Sequence, residues 1–153
     1  MTCRQGSTRI VIMGAAGRDF HTFNMVYRDD RHSRVVAFTA AQLPAIAGRR
    51  YPPSLAGERY PEGIPIVDES GLADLCRAER IDQVVLAYSD ISHAEVMHKA
   101  SIVLAAGADF DMLGPERTMI RAAVPVIAVC AVRTGCGNSQ TTRWLSARLK
   151  AHG

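Results

Sequence analysis

Short apolar runs rich in β-branched residues alternate along the chain with longer segments in which apolar residues recur at helical spacing. The short runs are continuously apolar, which predicts strands whose two faces are both covered. We expect strands within residues 10–13, 34–40, 81–90, 106–113 and 124–132, and helices near 18–29, 69–79, 92–105, 115–122 and 139–151. This order predicts an α/β fold, a Rossmann-like three-layer sandwich with a mainly parallel sheet of about five strands.

Composition and charge narrow the class of protein. The chain has 153 residues, of which 48% are hydrophobic and 22% charged, as expected for a folded globular domain. Its formal net charge of +3 is too small to argue for nucleic acid. No apolar run approaches the roughly 20 residues that span a bilayer, and no signal-peptide pattern opens the chain. We therefore expect neither a nucleic-acid nor a membrane partner.

The placement of cysteines and of basic residues adds two expectations. The four cysteines show neither a CxxC pair nor the spacing of a metal site, which favours a reduced, cytoplasmic protein. Basic residues are in excess after Gly114, and that excess suits phosphate-bearing partners. A solvated helix face explains the last three of them equally well. The basic residues are Arg117, Arg121, Arg133, Arg143, Arg148 and Lys150.

A small-residue turn follows the first predicted strand. It reads Gly14, Ala15, Ala16 and Gly17. Two glycines permit a tight turn and a close approach of phosphate to the backbone N–H groups at a helix start. The second predicted strand ends at residues 38–40 without the acidic residue that binds the ribose of NAD. The turn therefore predicts a site for a phosphorylated small molecule other than NAD.

The proline-rich segment 41–66 is longer than an ordinary connection between a strand and a helix. Because it follows the second predicted strand, it should border the ligand crevice at the carboxyl ends of the strands. Arg49 and Arg50 would there clamp an anionic ligand. The alternative is a solvent loop with incidental charge. Tyr51 and Tyr60 favour an ordered loop and hence the functional interpretation.

Polar residues also follow the third predicted strand. Ser92 and Glu95 have the spacing of a capping box at the start of the next helix. His93 and His98 are five residues apart and do not share a helix face, so a metal site is not expected. Helix capping explains the polar residues but not His93. We expect the following residues to line the substrate crevice: Tyr88, Ser89, Asp90 and His93.

Residues 131–144 read AVRTGCGNSQTTRW and are similar to a phosphate-binding loop in which one residue is replaced. Asn138 stands where such a loop has its lysine. The backbone would still cradle an anion, and Ser139 would still ligate Mg²⁺. Loss of one well-placed electrostatic donor costs about 10²–10³ in rate. The candidate nucleotide-binding residues are Gly135, Cys136, Gly137, Asn138, Ser139, Gln140 and Thr141.

Several blocks between residues 9 and 143 resemble the cyclic 2,3-diphosphoglycerate synthetase family and its bacterial relatives. These blocks are VIMGAAGRDFHTFN, VVAFTAAQLPAIAGRRYPPSLAG, YPEGIPI, AYSDISHAEVMHKAS, GADFDMLGPERTM and PVIAVCAVRTGCGNSQTTR. The resemblance implies a Rossmann-like domain followed by a P-loop domain. It also implies a reaction that uses ATP and Mg²⁺ to close 2,3-diphosphoglycerate into its cyclic phosphoanhydride. The family's loop resembles TGCGKSQTTR, so Asn138 departs from it at the lysine.

Two classes of function follow from these observations. In the first, the chain belongs to an enzyme of the cyclising synthetase type, with ATP and Mg²⁺ at residues 135–141 and a polyanionic substrate on basic side chains. Those side chains are Arg18, His21, Arg49 and Arg50. In the second, it is a non-catalytic Rossmann-like module that binds a phosphorylated small molecule. Asn138 favours the second for this chain alone.

The domain organisation is expected to follow the motifs. Residues 1–123 should form the Rossmann-like domain, and 124–153 should form the strand, loop and helix that begin a P-loop domain, the rest of which lies outside this chain. We expect the strand at 124–132 to extend the sheet, and a homodimer to form through the C-terminal part. We also expect Gly14–Gly17, Arg49, Arg50 and the segment 88–93 to converge at the carboxyl edge of one sheet.

Overall fold

The computed structural model describes residues 6–14, 17–41, 48–130 and 136–152. The chain divides into two units, Met1–Met119 and Ile120–Gly153. The first unit holds a six-stranded sheet in the order β3-β4-β2-β1-β5-β6. The strands are β1 (Thr8–Met13), β2 (Ser33–Ala40), β3 (Arg50–Tyr51), β4 (Ile64–Asp68), β5 (Gln83–Leu86) and β6 (Asp109–Asp111).

The sheet has the topology of a Rossmann-like fold. Strands β4, β2, β1, β5 and β6 are parallel to their neighbours, and only β3 runs antiparallel, against β4. The chain order reverses at β1, since β2 and β4 lie on one side of it and β5 and β6 on the other. Ligands of such sheets bind in the crevice outside the carboxyl ends of the strands at this reversal. The predicted α/β class and mainly parallel sheet are confirmed.

Helices connect the strands. In the first unit they are α1 (Arg18–Thr22, continued by a π-helical turn at Phe23–Tyr27), α2 (Pro53–Ala56), α3 (Leu72–Ala78, preceded by a 3₁₀ turn at Glu69–Gly71), α4 (His93–Ala105) and α5 (Pro115–Thr118). The second unit contains α6 (Asn138–His152). The predicted capping box opens α4: the Ser92 hydroxyl accepts the N–H of Glu95, and the Glu95 carboxylate accepts the N–H of Ser92. No helix in the described residues is long and apolar enough to cross a membrane.

The proline-rich segment is not one irregular loop, so that prediction was wrong. It contains β3 and β4, and β4 pairs with β2 through Ile66 and Phe38. Ile64 and Ile66 are buried on either side of Pro65. Such alternation is typical of a strand. The prolines concealed it because they break most strands and are tolerated mainly near sheet edges.

The segment predicted as the fifth strand was also wrongly assigned. Residues 120–130 form no strand, and 131–132 lie outside the described residues. Val124, Val126 and Ile127 have exposed fractions of 70%, 69% and 65%. Apolar composition suggested a buried strand there, but composition does not show whether a neighbouring strand is present to pair with it. The sheet ends instead at β6.

Apolar residues cover both faces of the sheet, as the continuous apolar runs predicted. Along β1, Ile10 and Ile12 belong to one buried cluster, and Val11 and Met13 belong to the other. This alternation follows from the twofold period of a strand. The first cluster contains an aromatic group in which ring centroids are 4.7–5.9 Å apart. Its members are Phe20, Phe23, Phe38, Tyr51 and Tyr60.

Tyr60 also closes a gap in the hydrogen bonding of β2. The pairing of β1 with β2 shifts register between Ile10 and Val11, so that Val36 is an extra residue in β2. Such a bulge disrupts the local ladder. The Tyr60 hydroxyl accepts the Val35 N–H at 3.0 Å, and both residues are buried. The prediction that the tyrosines order the proline-rich segment is therefore consistent with their burial.

Replacing Tyr60 with Phe should destabilise the protein by about 1–3 kcal/mol, because a buried backbone N–H loses its acceptor. Tyr51→Phe is the matched control, since the Tyr51 hydroxyl bonds the exposed Asn24 side chain. We expect a clearly smaller loss there. The free energy of unfolding of each variant is measured by urea titration. Equal losses in the two variants would contradict the role assigned to Tyr60.

Candidate functional site

The turn after β1 requires glycine. Gly14 has φ +128°, which L side chains rarely adopt, and a Cβ there would lie 3.3 Å from the Asp19 Cβ. Its N–H donates to the Thr39 carbonyl at 3.1 Å, so the turn is tied to the end of β2. Gly17 has φ +141° and precedes α1. Ala15 and Ala16 lie outside the described residues.

An acidic side chain occupies part of this turn. Asp19 is buried, and its Oδ1 accepts the Gly17 N–H at 2.6 Å. That N–H is one of the donors that a phosphate would use at the start of α1. A buried carboxylate so close to the turn also repels an anion. Phosphate binding by residues 14–17 therefore stays a prediction, and Asp19 counts against it.

A cavity of about 420 Å³ lies at the carboxyl edge of the sheet. Met13 at the end of β1, Ala41 after β2 and Asp68 at the end of β4 contribute to its wall. The 3₁₀ turn before α3, α3 itself and α4 supply the remaining residues. Its full lining is Met13, Ala41, Asp68, Glu69, Ser70, Leu72, Ala73, His98, Lys99 and Ile102. We call it the carboxyl-edge cavity.

Glu69 is the centre of a polar network in this cavity. The Lys99 ammonium bonds its Oε1. The Tyr88 hydroxyl donates to Oε2 at 2.5 Å, and the buried Thr39 hydroxyl donates to the same oxygen at 3.1 Å. The exposed fractions of the Glu69 and Lys99 side chains are 11% and 20%. Three segments of chain thus converge on one carboxylate at the end of β4.

The Tyr88 hydroxyl keeps its proton in this network. Burial, and then the hydrogen bond to Glu69, raise the pKa of Tyr88 well above its ordinary value, so the hydroxyl remains a donor. Lys99 also lies 5.4 Å from the centre of the Tyr88 ring, where the ring attracts a cation. An ammonium has three N–H donors. Lys99 therefore presents an oriented positive charge beside the cavity, even with Glu69 bound.

Local structure explains how Glu69 reaches this position. Asp68 ends β4, and its Oδ1 accepts the Ser70 N–H at 2.8 Å, which turns the chain sharply. Hydrogen bonds from Ser70 are the main cause that lowers the pKa of the Asp68 carboxyl. Sequence reasoning missed Glu69 because it missed β4. The alternation in residues 64–68 followed by an acidic residue would have indicated it.

The predicted crevice residues near α1 and β5 lie in different environments. Tyr88 joins the Glu69 network. Ser89, Asp90 and His93 are exposed in the segment after β5. Arg18 is also exposed, whereas the Nε2 of His21 lies 2.7 Å from the Thr118 carbonyl oxygen. His21 therefore helps to hold α5, which reduces its availability to a ligand.

Arg50 does not reach the carboxyl edge, so the predicted convergence was wrong for this residue. Its Nε and Nη2 donate to the carbonyls of Glu62 and Gly63 at 2.7 and 3.2 Å. It lines a groove with Arg9, which lies near the amino end of β1, whereas Gly14 follows the carboxyl end. The reason is that β3 runs antiparallel to β4. Arg49 is exposed, and its carbonyl accepts the Ile66 N–H at 2.8 Å.

The candidate nucleotide loop lies in the second unit. Gly135 is outside the described residues, and Cys136 is exposed. Gly137 has φ +79°, and its carbonyl accepts the N–H groups of Gln140 and Thr141 at 3.1 and 3.2 Å. Asn138 begins α6, and its Oδ1 accepts the N–H of Ser139 at 2.9 Å. The residue that replaces the lysine therefore bonds its own helix.

Metal binding finds no support beyond the sequence. Across the described ranges, no group of three or more His, Cys, Asp or Glu side chains is arranged to hold a metal ion. Ser139 is exposed at the start of α6 and stays a predicted Mg²⁺ ligand. The predicted homodimer likewise stays a prediction.

Comparison with solved structures defines the class of fold. The chain superposes on UDP-D-quinovosamine 4-dehydrogenase from Vibrio fischeri with a TM-score of 0.57 at 16% identity, covering 71% of this chain and 80% of that one. It superposes on RSP, a Rex-family repressor, with a TM-score of 0.55 at 15% identity, covering 96% of this chain and 61% of that one. At these identities the similarity establishes the Rossmann-like fold alone.

Sequence comparison relates the chain to a synthetase. It is 56% identical over 145 residues to arginine synthetase ArcE of Thermococcus kodakarensis. The match covers 95% of this chain and 32% of the relative, so the chain spans about a third of that protein's length. No family model matches the chain. The expected relation to a synthetase is supported at this general level, and the similarity does not point specifically to cyclic 2,3-diphosphoglycerate.

The Glu69 network predicts how Tyr88 titrates. The pKa of Tyr88 is higher in the native state than in the unfolded chain, where the ordinary value is 10.0. The protonated Tyr88 hydroxyl therefore contributes its full stabilisation of the native state below pH 10.0. This stabilisation is lost as the pH rises further and the unfolded chain loses the proton first. Glu69→Gln should lower the pKa of Tyr88, because an anionic acceptor is removed. The pKa should still exceed 10.0, since burial is the larger cause.

Tyrosinate absorbance during alkaline titration measures this effect, with Tyr88→Phe used to isolate the contribution of Tyr88. Glu58→Gln is the control, because Glu58 is exposed and outside the network. An unchanged Tyr88 pKa in Glu69→Gln would show that the network does not govern the titration.

Proposed function

We propose that this chain is the Rossmann-like part of a synthetase-type enzyme and that it holds a small substrate in the carboxyl-edge cavity. The observation that carries the proposal is the oriented Lys99 ammonium in a cavity at the carboxyl edge. Parallel α/β sheets bind their ligands at this edge. The 56% identity to a protein named arginine synthetase supports the class of enzyme.

The charges around the cavity favour an amino-acid substrate. Lys99 and His98 would bind a carboxylate, while Asp68 and Glu69 supply negative charge to a cationic group. Met13, together with leucine, isoleucine and alanine side chains, provides an apolar wall for an aliphatic chain. Lining groups of both signs suit a zwitterion better than a polyanion. We therefore propose an amino acid of the arginine type as the substrate class.

A phosphorylated substrate such as 2,3-diphosphoglycerate is the second candidate. The resemblance of the sequence blocks to cyclic 2,3-diphosphoglycerate synthetases favours it, and the exposed Arg18 beside the glycine turn is suitably charged. Against it, Arg50 lies at the other edge and Asp19 occupies the turn. A non-catalytic module that binds either ligand remains the alternative for this chain alone.

We propose ATP and Mg²⁺ as cofactors only for a longer form of the enzyme that contains this chain. ATP supplies the energy of bond formation in synthetases of this kind, and residues 135–141 with Ser139 are the candidates to hold it. The described residues fit this role poorly. Asn138 is neutral, and its side-chain oxygen takes the Ser139 N–H.

The substrate proposal is tested by isothermal titration calorimetry of the chain with L-arginine and, separately, with 2,3-diphosphoglycerate. We expect L-arginine to bind, and the double variant Glu69→Gln/Lys99→Gln to bind it at least about tenfold more weakly, since a charged hydrogen bond contributes roughly 1.5–3 kcal/mol. The double variant is used because a lone buried charge would destabilise the fold. Thermal unfolding confirms that it folds.

Lys150→Gln is the control for this experiment, because Lys150 is exposed on α6 and outside the cavity. It should bind L-arginine like the unmodified chain. Binding of 2,3-diphosphoglycerate without binding of L-arginine would overturn the amino-acid proposal and favour the second candidate.

A separate prediction concerns the nucleotide loop. The chain should hydrolyse neither ATP nor GTP appreciably, because a P-loop lysine stabilises the charge that develops in phosphoryl transfer and Asn138 does not. In a longer form that carries this loop, Asn138→Lys should raise turnover by about 10²–10³. Phosphate release measures both, with Asn138→Gln as the neutral control. Robust turnover with Asn138 in place would contradict the prediction.

A further inference from the structure

A second cavity lies at the opposite edge of the sheet. It has a volume of about 520 Å³, and Val35, Val36 and Pro65 contribute apolar surface to it. Charged side chains from neighbouring strands and turns also line it. They are Arg9, Arg34, Arg50, Glu62 and Glu79. We call this cavity the arginine groove.

Two of the arginines are direct neighbours across the sheet. Arg9 of β1 and Arg34 of β2 are register partners in the parallel pair. Adjacent strands are about 4.8 Å apart, and like charges placed directly opposite destabilise a sheet. Glu79 offsets the charge of Arg9 through an ion pair of 2.5 Å. Arg34 instead lies 5.9 Å from the centre of the Tyr60 ring.

Among the residues that the structure describes, no carboxylate lies within ion-pair distance of the Arg34 guanidinium. Arg9 has acidic neighbours in Glu79 and in Asp82, whose Oδ2 accepts the Arg9 backbone N–H at 2.8 Å, so an added anion would act mainly on the Arg34 guanidinium beside it. This imbalance is the first reason to regard the groove as a ligand site.

The other two arginines are already oriented. Arg9 donates from Nε to the Glu79 carbonyl at 2.6 Å and from Nη2 to its carboxylate at 2.5 Å. Arg50 likewise uses Nε and Nη2 for the carbonyls of Glu62 and Gly63. In both arginines these hydrogen bonds use the Nε and Nη2 edge of the guanidinium, and the Nη1 N–H groups are left to donate to a ligand. Fixed guanidiniums recognise phosphate oxygens well because little side-chain entropy remains to be lost.

We propose that the arginine groove binds a small molecule bearing phosphate groups, with Arg34 as its principal contact. The volume lies within the range of small-molecule sites. With Glu62 and Glu79 included, the groove keeps one net positive charge. The site is separate from the carboxyl-edge cavity and does not depend on the function proposed there.

Pyrophosphate is the probe for this site. Calorimetry at low salt should show saturable binding by the chain, and Arg34→Gln should raise the Kd at least about tenfold, since a charged hydrogen bond contributes roughly 1.5–3 kcal/mol. Arg31→Gln is the control: Arg31 is exposed and precedes β2 outside the groove. The Kd of this control should stay within about twofold. Added salt should weaken binding, because an exposed groove is screened.

Amide chemical shifts locate the probe. Pyrophosphate should move the resonances of Val35 and Val36 and leave that of Lys99 in place, and Glu69→Gln/Lys99→Gln should bind it normally. An Arg34→Gln variant that binds pyrophosphate like the unmodified chain, or shifts confined to Gly14 and Lys99, would overturn the proposal. Tighter binding of a single-stranded oligonucleotide than of pyrophosphate would overturn the assignment to a small molecule.

Discussion

The burial of β1 on both faces is the constraint on which the first unit depends. Ile10, Val11, Ile12 and Met13 are each at most 1% exposed. A strand of this kind must lie inside a sheet and must have packed layers above and below it. The layers are supplied by aromatic residues on one face and by α3 and α4 on the other. Because β1 is central, its two ends define the two edges of the sheet where polar groups collect.

The charged groups at the two edges of the sheet are stabilised in different ways. At the carboxyl edge, Glu69 is held by Lys99, Tyr88 and Thr39, so each charged or polar group is matched inside a partly buried network. At the amino edge, backbone carbonyls hold Arg9 and Arg50, and Glu79 pairs with Arg9, which fixes these two side chains without fully offsetting the charge of the cluster. These arrangements underlie the two proposals made above, a small polar substrate at the carboxyl edge and an anion at the amino edge.

Sequence patterns predicted the elements that depend on interactions between residues close in sequence. The apolar runs located β1, β2 and β5, and the spacing of Ser92 and Glu95 located the start of α4. Those features depend on neighbours in sequence. The strand at β4 was missed because Pro65 masks an otherwise regular alternation. The segment 124–130 was assigned as a strand because apolar composition does not reveal whether a neighbouring strand is present to pair with it.

The candidate site was less predictable for the same reason. Glu69 and Lys99 are 30 residues apart in sequence, and they meet only because β4 ends beside α4. Arg50 was assigned to the wrong edge because nothing local indicates that β3 runs antiparallel. Tyr88 was found because it directly follows a strand that could be recognised. Prediction of a site therefore depends on the order of strands as much as on the residues that line it.

The bond between Tyr60 and the bulge in β2 also determines how the proline-rich part of the first unit opens. Tyr51 and Tyr60 are buried in the same aromatic group as Phe38, so residues 50–60 cannot detach without exposing rings from the centre of the core. Segments with such contacts exchange their amide hydrogens only in large-scale opening. A stretch that looks like an accessible loop in sequence is thus joined to the cooperative unit of the sheet, and its resistance to proteases follows the global stability of the fold.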